Sequence, residues 1–244
     1  MYSERHILLL LAVTRWFCRD PFLGQTSAMP FRLDHLSYAT SHDQLVDVVQ
    51  RLGSRVGSAF IDGGIHPRFG TRNFTLPLKN GHYLEVVCPL DHPAAEESPF
   101  GKAVSKRAET GGGWMTWVVA TNDISPVESR LGRDSVEGSR KRPDGSELKW
   151  KQIGVLGTIE DSQLPFFIQW LTDEHPSSDG KAVAEIARIE ISGDEKTIEG
   201  WLGSTPKGAF KDVEVVYRDP SNFDGETGII SVTITTPNGE VVLD

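Results

Sequence analysis

His35 and Glu85 are the residues whose types and setting first suggest chemistry. His35 stands in a short apolar run, Leu33 to Ala39, and Glu85 in another, His82 to Val87. Alternation along a strand predicts that Leu33, His35 and Ser37 share one face, as do Tyr83 and Glu85. An imidazole and a carboxylate brought together are compatible with Zn, Ni, Fe or Mn, and equally with a buried hydrogen-bonded pair. A second concentration of polar groups runs from His66 to Asn73, a stretch framed by glycines and fixed by Pro67. Read as a loop, it suits an anionic or oxygen-rich ligand: Arg72 clamps a carboxylate bidentately while Thr71 and Asn73 donate beside it. The other reading pairs that arginine with Glu85 or Asp62. Aromatic residues form the third feature. Trp114, Trp117, Trp150, Phe166, Phe167 and Trp170 alternate along expected strands, so half of them point inward, either as cavity wall or as core. Arg140-Lys141-Arg142 reads as a solvated basic run before a turn.

These residues need elements to position them, and the elements repeat. Ser41 and Gln44 open a helix carrying Leu45, Val48, Val49 and Leu52, with Gly53 as its stop. Ser125, Pro126 and Glu128 open a second helix that ends at Leu131-Gly132, and Asp194 begins a third that ends at Leu202-Gly203. A short strand precedes each. After the first helix, Phe74 to Leu78 and His82 to Val87 flank Asn80-Gly81, a strong hairpin signal; Asn238-Gly239 does the same near the end of the chain. The middle unit turns at Pro143-Asp144-Gly145. The repeat is therefore βαβββ, and Tyr83 to Pro93 parallels Phe167 to Pro176, which sets Gln169 opposite Glu85. One such unit leaves a sheet face open, so two must pair. The expected fold is α+β: paired βαβββ modules forming a curved, barrel-like mixed sheet with helices outside, plus a third βαβββ-like half-unit.

Two such units, with His35 on a first strand and Glu85 on a fourth, resemble the vicinal oxygen chelate superfamily of glyoxalase I, extradiol dioxygenases and bleomycin-resistance proteins. More narrowly, Gly63 to Asn73, Tyr83-Leu84-Glu85, Arg142-Pro143-Asp144-Gly145 and Leu164 to Trp170 look like the glyoxalase-like domain family. The resemblance implies a divalent metal held from both units, with open positions that chelate a substrate through two adjacent oxygens. Carried onto this chain, it makes His35, Glu85 and Gln169 the metal ligands. Taken with the polar stretch and the aromatic residues, Glu85, His66 and Arg72 are the expected catalytic residues and His66, Arg72, Asn73 and Trp117 the expected substrate contacts. The second unit departs from the pattern, with Thr116 and Trp117 where a second histidine is expected and Gln169 in place of an acid. Two functions follow: a metal-dependent lyase, isomerase or dioxygenase acting on a small oxygen-rich molecule, or a metal-free protein that sequesters a small molecule, as resistance members do.

Composition narrows the partners. The chain has 244 residues with 25 Lys and Arg against 34 Asp and Glu, a formal charge of −9. That acidic balance argues against nucleic acid and against an anionic membrane surface. Two cysteines, Cys18 and Cys88, make no disulfide framework, which fits the cytoplasm. The Ile7 to Val13 apolar run is too short to span a bilayer. The expected organisation is an extension over 1–28, a two-module domain over 31–176 and an additional half-module over 181–244, in a monomer or homodimer. Phosphate-loop, dinucleotide, zinc-protease and nucleophile-elbow motifs are absent from the sequence.

Overall fold

Runs rich in β-branched and aromatic residues become strands here, and the turns between them decide how the strands pair. The computed structural model describes residues 31–244. The expected 1–28 extension lies outside the described residues. The first module contains β1 (Arg32–Ala39), α1 (Leu45–Val56), β2 (Ile61–His66), β3 (Thr71–Pro77) and β4 (Tyr83–Pro89). Two connecting helices follow, α2 (Pro93–Glu97) and α3 (Pro99–Glu109). The second module contains β5 (Gly113–Ala120), α4 (Ser125–Leu131), β6 (Val136–Lys141), β7 (Glu147–Ile153), α5 (Val155–Glu160) and β8 (Phe166–Trp170). The remainder contains β9 (Glu185–Ser192), α6 (Glu195–Leu202), β10 (Glu214–Arg218), β11 (Gly228–Thr236) and β12 (Gly239–Leu243). Among the described residues no helix is long and apolar enough to cross a membrane.

The first eight strands close a barrel in the order β1-β4-β3-β2-β6-β7-β8-β5. Each module pairs its first strand in parallel with its fourth, β1 with β4 and β5 with β8. The modules meet along antiparallel β1 and β5 and, on the far side, along β2 and β6. This is the paired βαβββ α+β fold expected from the repeats. Asn80 (φ 61) and Gly81 (φ 77) take the left-handed conformation that lets the chain reverse between β3 and β4. Helix α1 continues past the expected stop at Gly53 and ends at Gly57.

The third unit keeps the β-α-β-β-β element order with different pairing. Its sheet runs β10-β9-β11-β12, so its first strand lies parallel to its second rather than to its fourth. An open sheet with an apolar face needs cover. The barrel's outer surface supplies it: Ile186, Ile189, Val232 and Ile234 share one buried cluster with Leu33, Leu36, Trp117 and Val119 of β1 and β5. A second cluster, built from Val87, Val118, Phe166 and Ile168, is completed by Phe100 and Val104 of α3.

One irregularity in β1 matters for the site. Against β5, Leu33 sits opposite Val119 and His35 opposite Val118, so Asp34 is the extra residue of a β-bulge. The expected shared face of Leu33, His35 and Ser37 is therefore broken. Leu33 joins the outer cluster while His35 turns to the barrel interior.

Candidate functional site

A small cavity lies inside the barrel. The first module contributes His35, His66, Phe69, Asn73, Tyr83 and Glu85 to its wall. Helix α3 contributes Phe100, and the second module contributes Arg140, Trp150, Gln152, Phe166, Ile168 and Trp170.

Strand pairing dictates the polar wall. In the parallel register of β1 and β4, His35 lies beside Tyr83 and Ser37 beside Glu85. The His35 and Tyr83 rings accordingly stack, with centroids 4.3 Å apart and planes at 18°. Ser37 Oγ donates to Glu85 Oε2 at 2.6 Å, and Asn73 Nδ2 donates to Glu85 Oε1 at 2.7 Å. His35 Nε2 stands 3.8 Å from Glu85 Oε2. Burial pushes the Glu85 carboxyl upward, but His35, His66 and the Ser37 and Asn73 hydrogen bonds outweigh it and hold the group below its ordinary value. Burial, together with Asp34 and Glu85 nearby, raises the Tyr83 phenol well above its ordinary value, so it keeps its proton.

Behind His35 sits Asp34, the bulged residue, which is fully buried. Its Oδ1 lies 2.8 Å from His35 Nδ1. Its Oδ2 accepts from Trp170 Nε1 at 3.1 Å, with His175 Nε2 and Arg32 Nη2 each also at 3.1 Å. Burial opposes ionisation of Asp34, yet hydrogen bonds and charge interactions with His175 and His35 prevail and hold its carboxyl far below the usual range. An ionised carboxylate only accepts, so His35 carries a proton on Nδ1 and presents Nε2 to the cavity.

The wall continues through β3 and β2 to β6. His66 Nδ1 lies 2.8 Å from Thr71 Oγ1, and burial lowers the ring's pKa from 6.5 to about 4, so His66 is neutral at pH 7. Arg140, only 2% exposed, donates from Nη1 to Asn73 Oδ1 at 3.5 Å and from Nη2 to Asp179 Oδ2 at 3.3 Å. Arg142 Nη2 donates to the other oxygen of Asp179. Two glycines make room behind this wall. A Cβ on Gly63 would collide with Asn73 Oδ1 and lie 2.8 Å from Arg140, and one on Gly138 would lie 2.5 Å from the Trp150 indole.

A family model described as a glyoxalase-like domain matches residues 33–204 of the chain. The chain belongs to the glyoxalase-like domain family. This family lies within the vicinal oxygen chelate superfamily, and the closed eight-stranded barrel agrees with it. A hypothetical protein from Staphylococcus aureus shares the fold at a TM-score of 0.64 and 16% identity, over 84% of this chain and 91% of that one. Methylmalonyl-CoA epimerase from Mycobacterium tuberculosis aligns at a TM-score of 0.38 and 16% identity, over 57% of this chain and 85% of its own. A singly substituted Streptomyces coelicolor methylmalonyl-CoA epimerase in complex with 2-nitronate-propionyl-CoA gives 0.39 and 17%, over 60% and 97%. No curated protein matches the sequence.

Against this glyoxalase-like frame, the residues singled out by sequence separate into two groups. His35, His66, Asn73 and Glu85 line the one cavity. Arg72, Trp117 and Gln169 do not. The stretch from Thr71 to Asn73 is strand rather than loop, so its side chains alternate: Asn73 points in, while Arg72 pairs with Asp62 at 2.8 Å and lies over the Phe74 ring. Trp117 is buried in the outer cluster, donating from Nε1 to Gln163 O at 2.9 Å. Gln169 is out of phase on β8, where Phe166, Ile168 and Trp170 face the cavity, and its Oε1 accepts the Ile124 N–H at 3.0 Å.

The expected divalent metal would be held by donors from both modules. Among the described residues no group of three or more His, Cys, Asp or Glu side chains is arranged to hold an ion. Both Glu85 oxygens already accept hydrogen bonds, and Gln169 is turned away. The residues present do not fit the expected set of His35, Glu85 and Gln169. Arg140 is the charged cavity residue that sequence reading misses. Its basic neighbours give it the look of a solvated group, and only the inward phase of β6, with Gly138 and Arg140 buried on one face, corrects this.

Proposed function

We propose that this glyoxalase-like protein moves a proton on a small oxygen-bearing molecule held inside the barrel, in a lyase- or isomerase-type reaction. The observation that carries the reading is the fixed tautomer of His35. With Nδ1–H held by Asp34, Nε2 is the ring nitrogen turned to the cavity, and when unprotonated it accepts a proton from a C–H or O–H made acidic by an adjacent carbonyl. The imidazolium so formed faces ionised Glu85 at 3.8 Å, which stabilises it. Tyr83 keeps the ring in plane by stacking, and the aromatic walls keep bulk water from the reacting atoms. A positioned base of this kind accelerates proton transfer by about 10²–10⁴-fold.

Proton NMR in D₂O tests this with a panel of small 2-oxo acids and α-hydroxyketones. At least one compound should lose its acidic C–H signal in the presence of the protein, and Glu85→Gln should slow that loss by about a hundredfold. The second reading, sequestration without turnover, draws support from the predominantly aromatic wall and the missing donor set. Binding of panel compounds by the wild type without exchange would establish it instead.

A further inference from the structure

We propose that the molecule recognised in this cavity is a monocarboxylate with a planar, ring-like body, and that Arg140 selects it. The inference deepens the reading above, since it concerns the same cavity, but it rests on different residues from the proton-transfer pair.

Arg140 is a buried cation that the fold leaves under-served. Its two hydrogen bonds, 3.5 Å to Asn73 and 3.3 Å to Asp179, are longer than the usual range for N–H donors. Its Nε is buried and has no partner. A guanidinium carries five N–H donors in a rigid fork and keeps its charge inside a protein, so a cavity it lines is complementary to the two oxygens of a carboxylate. A neutral ligand would leave the buried Nε unpaired.

The neighbours sharpen the choice of anion. Asn73 is locked in one orientation, because its Nδ2 donates to Glu85 and its Oδ1 therefore faces Arg140. Asp179, shared between Arg140 and Arg142, already supplies one negative charge at this wall, and Glu85 supplies another within the cavity. A monoanion meets less repulsion there than a phosphate dianion does. Phe100, Trp150, Phe166 and Trp170 also line the cavity, and aromatic walls suit a flat apolar body.

The test uses the full chain with benzoate, benzamide and phenyl phosphate as probes, followed by calorimetry or by tryptophan fluorescence, since Trp150 and Trp170 line the cavity. Benzoate should bind at millimolar concentration, and the other two at least about tenfold more weakly. Arg140→Met should reduce benzoate to the level of benzamide and leave benzamide unchanged. Removing Arg140 deprives Asp179 of a partner, so Arg140→Met with Asp179→Asn is measured beside it, with thermal melting as the control for folding. Equal binding of benzoate and benzamide to the wild type overturns the proposal, as does absence of benzoate binding at millimolar concentration. Tighter binding of phenyl phosphate, or benzoate affinity kept within about twofold in either folded variant, overturns it too. Glu85→Gln separates this inference from the proton-transfer reading: it should slow exchange by about a hundredfold while benzoate is still preferred to benzamide.

Discussion

The two barrel modules follow one plan and carry different chemistry. On the fourth strand of the first module the inward residues include Tyr83 and Glu85, and on the fourth strand of the second they include Phe166 and Ile168. The first module supplies His35, His66, Tyr83 and Glu85, whereas Arg140 is the ionisable group the second supplies to the cavity wall. A repeated fold thus fixes which positions look inward, while the side chains at those positions are free to diverge. The division assigns proton chemistry to one half of the barrel and ligand shape and charge recognition to the other.

The modules differ most where the second is purely structural. Trp117 is fully buried in the outer cluster, packed edge-on against Phe210, so Trp117→Ala should cost about 3–5 kcal/mol in urea unfolding. Benzoate preference in the folded fraction should not change. A variant that stays stable but loses that preference would return Trp117 to the binding site.

His66 sharpens the comparison from the first module's side. Its native pKa of about 4 lies below its ordinary 6.5, so the unfolded chain binds more protons than the native one between those values. Stability is then complete above pH 6.5 and falls as the pH drops toward 4, by about 3 kcal/mol in all. The depressed carboxyls of Glu85 and Asp34 add their own losses only as the pH falls below their ordinary 4.5 and 3.8, whereas His82, whose pKa burial also lowers, contributes within the same window, and the His66→Gln comparison separates the two. Comparing urea midpoints at about pH 7 and about pH 5 for wild type and His66→Gln checks this. An unchanged pH slope in the variant would place the effect elsewhere.

The smallest expected effect belongs to Arg72. Its side chain is 30% exposed and paired with Asp62, so Arg72→Met should cost less than about 1 kcal/mol and leave benzoate affinity unaltered. A large loss of affinity would show that the anionic group is held at the barrel's outer face and not by Arg140.

How far the sequence reveals this site depends on strand phase. The hairpin at Asn80-Gly81 anchors β3 and β4 firmly, and His35 with Glu85 sits in sheets whose apolar runs are unmistakable. The bulge at Asp34 leaves no sequence signal, although it is what turns His35 inward while Leu33 stays outside. Thr71 to Asn73 resembles loop because polar residues crowd it, and a strand read as loop loses its alternation, which is how Arg72 and Asn73 come to share one expected site. The same one-residue slip sets Gln169 opposite Glu85 when Ile168 and Trp170 face inward. Helix α3, which brings Phe100 to the cavity, escapes because the stretch from Pro93 onward continues a unit end whose parallel in the second module stays irregular. Arg140 is hidden by the opposite error, in which charge alone reads as solvent exposure.

Neither Gly63 nor Gly138 lines the cavity, yet both decide its shape. A single added methyl at Gly138 would drive the Trp150 indole forward, and one at Gly63 would displace the amide and guanidinium of Asn73 and Arg140. The contour offered to a ligand is therefore written partly one layer behind the wall. A lineage carrying this barrel can change the width of its chamber, or the aim of its anion-binding fork, while every contacting residue stays the same. Screening for altered preference should begin at such hidden positions, where one nucleotide change retunes recognition and leaves the proton-handling groups in place.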